Sequence, residues 1–495
     1  MKQRLPISTA LTLLTFGVLI LIPQAVPLLK NFRSLDPQSI PEVTKFPLRA
    51  IPEEHSADPL ASPAALEELR TRRLVMAAPK NLIDPARVLD SFYAALLEGG
   101  TSTVLHYGDS PTTADLITAD ARNMLQQEFG NAGTGFVLMA RPWAWYNHRG
   151  VDMSASNWKI DIAGISQLRD GLNGLGGVSF QGAPGAVARW TLRDSTHTDM
   201  EVAYLAQPGG GEFTIAAEDE PLGSITTAAE VQEPAFARFA IPAGASHFEL
   251  RVTQGSVRLY GADFRKPGPG IVYSSLGING ANVTLLSRAL NGEHWAGQLR
   301  HYKPDLVIVN YGTNESGFPQ FIDSTWGREM REVVRRLRSS LPGVAILLMS
   351  PMDRGEKKET GEIDTLASIP RLVSTEQKVA LETGAAFFNT YEAMGGQGTM
   401  GRWYQSEPRL VGADYIHPMP AGAKIVGQLL VAALRDGFRR YKLEEVKEKI
   451  AQLDAQAART RREASVLRPP NSLPSASLIP GTPSATFTPS AASAQ

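Results

Sequence analysis

The sequence predicts an α/β protein: a parallel sheet sandwiched between helices, with a β-sandwich inserted after its first strand. Three observations carry this. Five short apolar runs, each bounded by turn residues or a charge, read as strands buried on both faces. Helical patterns follow several of them, and strand–helix alternation makes a parallel sheet. Between about 176 and 265 the alternation gives way to short strands at close, regular spacing, the pattern of a sandwich.

Along the chain, Lys2 and Arg4 precede an apolar stretch from Ala10 to Ile22, and Pro23 to Leu29 continues it with two prolines. A basic start and a short apolar core read as a secretory signal. No clean small-x-small cleavage site follows, so an uncleaved membrane anchor of roughly 20 residues, over 10–29, is the alternative. Residues 30–84 are rich in proline and charge and read as a spacer, with a helix around Pro63–Leu74. Folded sequence begins with a helical pattern at Pro85–Glu98, closed by Gly99-Gly100. The strands are Thr103–Tyr107, Ile271–Ser275, Asp305–Tyr311, Ala345–Ser350 and Ala385–Asn389. The helices are Thr112–Phe129, which Pro111 opens, Thr325–Leu341, Ile369–Thr383 and Pro420–Phe438.

The α/β part therefore covers 85–175 and 266–440, and the sandwich covers 176–265. Its strands are Ala186–Thr191, Asp199–Ala206, Glu212–Ala217, Ala235–Ile241, Ser246–Val252 and Val257–Ala262. Such an insert suits either carbohydrate binding or a structural lid. Over 441–465, Leu443, Val446, Ile450, Leu453 and Ala457 repeat at helical spacing, which predicts a C-terminal helix. From 466 Pro, Ser, Ala and Thr dominate, which predicts a disordered tail.

Composition limits the chemistry. The chain has 495 residues, with 49 Lys+Arg against 50 Asp+Glu, so no strong field draws it to nucleic acid. It has no cysteine, which excludes thiolate metal sites, disulfides and a cysteine nucleophile. Its eight histidines are scattered without metal-ligand spacing. Gly-x-Ser-x-Gly, the Walker loop and His-Glu-x-x-His do not occur.

The chemistry lies at Gly108-Asp109-Ser110, where the first strand runs into a helix. A serine there faces the carboxyl edge of the sheet, where the helix N-terminus favours negative charge and the Ser110 N–H can point at an oxyanion. A serine hydroxyl needs a base. His417 supplies one, in a loop ahead of the helix opened by Pro420, and Asp414 three residues earlier can curl back to its Nδ1–H. Donors for an oxyanion follow two strands: Gly277-Ile278-Asn279-Gly280-Ala281 after one, Gly312-Thr313-Asn314-Glu315 after another. His106 reads as a satisfied buried histidine and Asp109 as a turn residue. Trp143, Trp145 and Tyr146 read as core packing or loop anchors, with sugar stacking the alternative.

Gly-Asp-Ser at 108–110, Gly280, Gly-Thr-Asn at 312–314 and Asp-x-x-His at 414–417 resemble the four sequence blocks of the SGNH (GDSL-type) hydrolases. The resemblance covers about 85–440 and implies a three-layer α/β/α sandwich. It implies Ser110 as nucleophile, His417 as general base and Asp414 as its orienting partner. It also implies the Ser110 and Gly280 N–H groups and the Asn314 amide as oxyanion donors, with Gly280 preferred to Gly277. Glu315 departs from the aspartate common in that position.

A narrower resemblance, in Ser274–Ala281 and Gly396-Gln397-Gly398-Thr399-Met400 followed by Trp403, is to the branch with bacterial peptidoglycan O-acetylesterases. The expectation is an exported, periplasmic or extracytoplasmic serine esterase that removes O-acetyl groups from peptidoglycan or another extracellular polysaccharide and needs no cofactor. Two alternatives stand beside it: an O-acetyltransferase using the same triad, and a non-catalytic glycan-binding protein.

Overall fold

The five runs form five of the strands of a six-stranded sheet in a computed structural model that describes residues 81–166 and 168–466. The expected export segment at 1–29, the spacer up to residue 80 with its helix, and the tail from 467 lie outside the described residues. The sheet comprises β1 (Leu82–Ile83), β2 (Thr101–Gly108), β12 (Gly270–Gly277), β13 (Leu306–Asn310), β14 (Ala345–Met349) and β17 (Ala386–Phe388). Its order is β1-β17-β14-β13-β2-β12, parallel apart from β1. The chain crosses from β12 on one side of β2 to β13 on the other. The topology thus reverses around β2, and the carboxyl ends of strands at such a reversal form a crevice.

Both faces of the sheet are covered, which is why its strands are apolar without alternation. Leu105, Tyr107, Val307, Val309, Ile346 and Leu348 pack on one side, with residues of α4 (Gly292–Tyr302), α5 (Gly327–Ser340) and α6 (Ser368–Thr383). Val104, Leu306, Ile308, Ala345 and Leu347 pack on the other, with residues of α1 (Asp90–Glu98), α3 (Ile117–Phe129) and α8 (Pro420–Val466). The arrangement is the expected three-layer α/β/α sandwich. No helix among the described residues is long and apolar enough to cross a membrane.

Where Thr112–Phe129 reads as one helix, the chain makes a single turn, α2 (Ser110–Thr113), and then α3. The break falls at Asp115, held at φ 51 with its buried carboxylate 2.7 Å from Arg122. At the other end, the segments expected at 420–438 and 441–465 are one continuous helix, α8. No breaker separates them, and Tyr441 packs on Tyr93 with ring centroids 6.1 Å apart.

The antiparallel strands are β3 (Gly133–Leu138), β4 (Val151–Ile162), β5 (Val178–Leu192), β6 (Asp199–Ala206), β7 (Glu212–Ala217), β8 (Glu220–Thr226), β9 (Glu233–Ala240), β10 (His247–Gln254) and β11 (Val257–Arg265). Strands β5 and β11 change partners half-way along. The sheet therefore folds into two leaves, β8-β7-β10-β5-β4 and β9-β6-β11-β3. Trp190 and Phe248 of one leaf meet Phe264 of the other at 6.2 and 5.3 Å. This is a sandwich, as expected, but its pairing begins at Gly133, whereas the sequence reading kept 85–175 in the α/β part. The reason lies in β4: it alternates apolar and polar residues, Val151, Met153 and Ala155 and then Trp158, Ile160 and Ile162, but a bulge between Ser156 and Trp158 shifts the phase, half of its side chains are exposed, and the sequence reading gave it no strand. A short hairpin, β15 (Gly355–Lys357) and β16 (Ile363–Thr365), and α7 (Thr399–Gln405) complete the elements that position the site.

Candidate active site

The strands that lead into three of the sequence blocks end in one row of the parallel sheet. Gly108 on β2 lies opposite Gly277 on β12 and Asn310 on β13. Beyond that row β2 turns at once into α2, with Thr113 N donating to Asp109 O at 2.9 Å and Ala114 N to Ser110 O at 3.1 Å. Ser110 thus opens the helical turn, half-buried. The turn fits there only because its neighbours lack side chains. A Cβ on Gly277 would stand 2.1 Å from Thr113 N, and one on Gly108 would stand 2.2 Å from Thr112 Oγ1.

The loop after β12 carries Gly280, exposed, at φ 74, with open space where a side chain would stand. Asn314 faces this loop and donates from Nδ2 to Ala281 O at 2.8 Å. An amide nitrogen has two hydrogens, so one remains for a ligand. Glu315 makes a second tie. Its Oε1 accepts from Val283 N at 2.8 Å and from Trp326 Nε1 at 3.1 Å. The residue that departs from the family pattern therefore clamps the Gly280 loop to the Asn314 turn.

Asp414 and His417 are also brought together. Asp414 Oδ2 lies 2.6 Å from His417 Nδ1, while Oδ1 accepts from Ile416 N at 3.0 Å and His417 N at 3.1 Å. Partial burial works to raise the Asp414 pKa, but the His417 ring and these two N–H groups hold it below its ordinary value. A bond from Nδ1 to the carboxylate leaves Nε2 as the free nitrogen. The loop is tied to the segment after β14 by Gly355 N donating to Tyr415 O at 2.8 Å. Arg354 in that segment donates to Thr313 O and Ser316 Oγ, both at 3.0 Å, which joins it to the Asn314 turn. Tyr415 packs edge-on against Tyr404 of α7 at 4.8 Å. The Gly-rich loop before α7 is pinned as well: Gly398 N donates to Thr365 Oγ1 at 2.7 Å and Met400 N to Asp353 Oδ2 at 2.8 Å.

The expected site residues thus fall in three groups: Ser110 on α2, Gly280 with Asn314, and Asp414 with His417. Among the described residues no hydrogen bond joins Ser110 Oγ to the His417 ring. Catalytic hydrogen bonds are often long before substrate binds.

Behind the site lie features with no sequence signal. Asp109, expected to serve the turn, makes no side-chain cap. It is buried, and burial first and the Glu315 charge second push its pKa up to about 7. Glu376 on α6 is fully buried, with no protein partner for either oxygen among the described residues; burial and Glu315 push its pKa up too. His106 Nδ1 lies in hydrogen-bond contact with Tyr273 Oη at 2.6 Å, while Nε2 has no partner among the described residues; burial lowers its pKa to about 3, so it is only half satisfied and stays neutral. Residue type alone could not reveal these, because burial creates them.

Residues 241–425 match the GDSL-like lipase/acylhydrolase family model. That stretch contains Gly280, Asn314, Asp414 and His417, and it begins within the sandwich, after Ser110. No curated protein matches the chain in sequence. Among solved structures, a peptidoglycan O-acetylesterase is 23% identical with a TM-score of 0.62, covering 72% of this chain and 99% of its own. A Bacillus subtilis protein is 14% identical (TM-score 0.29), covering 61% and 90%. A family two carbohydrate esterase from Clostridium thermocellum is 14% identical (TM-score 0.27), covering 56% and 98%. The first of these shares the fold across nearly its whole length.

Proposed function

We propose that this GDSL-type acylhydrolase removes O-acetyl groups from a cell-wall or extracellular glycan, through an acyl-enzyme on Ser110. The observation that carries the reading is the 2.6 Å bond between Asp414 and His417 Nδ1, which frees Nε2 to act as base. His417 takes the Ser110 proton as the oxygen attacks the acetyl carbonyl. The negative charge that develops on the carbonyl oxygen is met by the Ser110 and Gly280 N–H groups and the spare hydrogen of Asn314. Collapse releases the sugar hydroxyl, which takes its proton back from His417. Water, deprotonated by the same ring, then attacks the acetyl-serine, and acetate leaves. No step needs a cofactor.

An acetyl ester on a glycan is favoured because the neighbour that shares the fold is a peptidoglycan O-acetylesterase. The basic start and apolar stretch of residues 2–29 support action outside the cytoplasm, with the segment either cleaved or retained as an anchor. The test is to incubate purified protein with O-acetylated peptidoglycan and with acetylated plant polysaccharides, and to quantify free acetate. Release from one of these glycans is expected, and it should vanish in Ser110→Ala and His417→Ala. Full activity in either variant would overturn the assignment, and acetyl transfer to an added sugar without free acetate would overturn hydrolysis.

A further inference from the structure

We propose that Trp145 is a sugar-stacking platform, seated on a loop of the β-sandwich insert and bolted to the nucleophile's own helical turn. The inference rests on the glycan reading above and adds the residue that grips the polymer away from the acetyl group.

Four large apolar side chains stand in water on the loops that carry the site. Trp145 is 70% exposed, Phe318 68%, Ile165 56% and Met419 44%. Phe318 follows Asn314 by four residues, and Met419 follows His417 by two. Ile165, from the loop after β4, lines one cavity with Gly280 and Ala281. Trp145 belongs to the loop between β3 and β4, where Asn147 N donates to Thr113 O at 3.2 Å, at the end of the turn that Ser110 opens. Two residues of chain reach at most about 7 Å. Trp145 therefore lies within a few sugar units of the nucleophile.

The loop is rigid, so the exposed indole is not slack. Arg149 donates from N to Asp115 Oδ2 at 2.8 Å and from Nε to Asp115 O at 3.0 Å, and Asp115 is itself paired with buried Arg122. Tyr146 is buried, with its hydroxyl accepting from Leu138 N at 3.1 Å and its ring edge-on to Trp143 at 6.4 Å. Two aromatics of the trio thus anchor the loop and the third is presented. An indole held in water loses free energy until something covers its face. A pyranose ring suits it, with C–H groups for the indole face and hydroxyls that stay wet. The four exposed side chains stand singly on separate loops, which fits successive units of a glycan strand better than a continuous lipid surface.

The test compares kcat/KM of wild type, Trp145→Ala and Trp145→Phe on O-acetylated peptidoglycan strands and on 4-nitrophenyl acetate. Val231→Ala, an exposed apolar position elsewhere on the insert, serves as control. Trp145→Ala should lose about tenfold more on the strands than on the small ester, mainly through KM, which corresponds to about 1.4 kcal/mol. Trp145→Phe should recover most of that selectivity, and the control should match wild type on both substrates. Equal losses on the two substrates, or none on the strands, would overturn the platform while leaving the glycan reading standing. A wild type that hydrolyses 4-nitrophenyl acetate but frees no acetate from the strands would overturn both.

Discussion

Gly277→Ala is the most demanding test of how Ser110, the proposed nucleophile, is held. The added methyl would stand 2.1 Å from Thr113 N, 2.5 Å from Thr112 C and 2.7 Å from Thr113 Cα. Ordinary contact begins near 3.4 Å, so α2 must move by about 1.3 Å. All three obstacles are backbone atoms, so no side chain can rotate out of the way. Overpacking of this kind costs about 1–3 kcal/mol. Loss of geometry adds a cost to the rate, because a misplacement of about 1 Å lowers it by about a hundredfold, or about 2.7 kcal/mol. The expected outcome is a hundredfold fall in kcat on 4-nitrophenyl acetate with a modest fall in the urea midpoint. Gly280→Ala is the control. Its methyl meets nothing within 4 Å and its N–H is kept, so only the left-handed backbone, at φ 74, resists, at about 1–2 kcal/mol. Its kcat should stay within about fivefold of wild type. A Gly277→Ala enzyme within twofold of wild type, or a Gly280→Ala enzyme as damaged as Gly277→Ala, refutes the seating described above.

Two further outcomes test the surroundings. Asn314→Ala should lower kcat about a hundredfold with little change in KM, as expected of a donor used only when charge develops; a loss confined to KM would assign the amide to ground-state binding. Asp109 tests the buried acids through stability. Its folded pKa near 7 exceeds its ordinary 3.8, so the folded state holds the proton more tightly. The stability this contributes is complete below about pH 4 and is lost as pH rises to about 7, on the order of 4 kcal/mol in all. Asp109→Asn cannot ionise, so its urea midpoint should meet wild type in acid and exceed it at pH 8. Parallel curves would show that Asp109 is not the titrating group.

The strands were legible because burial on both faces demands unbroken apolar runs, and runs such as Leu306–Asn310 and Ala345–Met349 admit no other packing. The site residues were legible as types in order, since Gly108, Ser110, Asn314 and Asp414-x-x-His417 all stand beside strand ends or helix starts. Their mutual ties were not. Glu315 had no mechanism until its carboxylate was seen on Val283 N, a contact between segments 32 residues apart. Arg354 drew no notice, because a lone arginine after a strand is usually solvent-exposed, and its role depends on Thr313 O lying within reach. Strand β4 does carry a period of two, but the bulge between Ser156 and Trp158 interrupts it half-way. The break at Asp115 depends on Arg122 seven residues on and on Arg149 34 residues away, and local periodicity cannot carry that information.

The sequence left the sandwich open as a carbohydrate-binding module or a lid, and its packing argues for a third role. Strand β3 lies against the catalytic sheet: Phe136 N donates to Ser274 Oγ at 3.1 Å, and Ala132 N donates to Ile271 O. Phe136, Trp190 and Phe264 of the sandwich share one buried core with Tyr107, Val309 and Trp295 of the α/β part. A module that merely tethered a glycan would keep its own core and join through a linker. Here the loop that leaves β3 reaches Thr113 beside Ser110, and the loop that leaves β4 reaches the cavity with Gly280. The insert is therefore built into the α/β part and sends one loop beside Ser110 and another beside Gly280. On the glycan reading proposed above, substitutions in those loops should alter which polymer is accepted while leaving hydrolysis of a small ester intact.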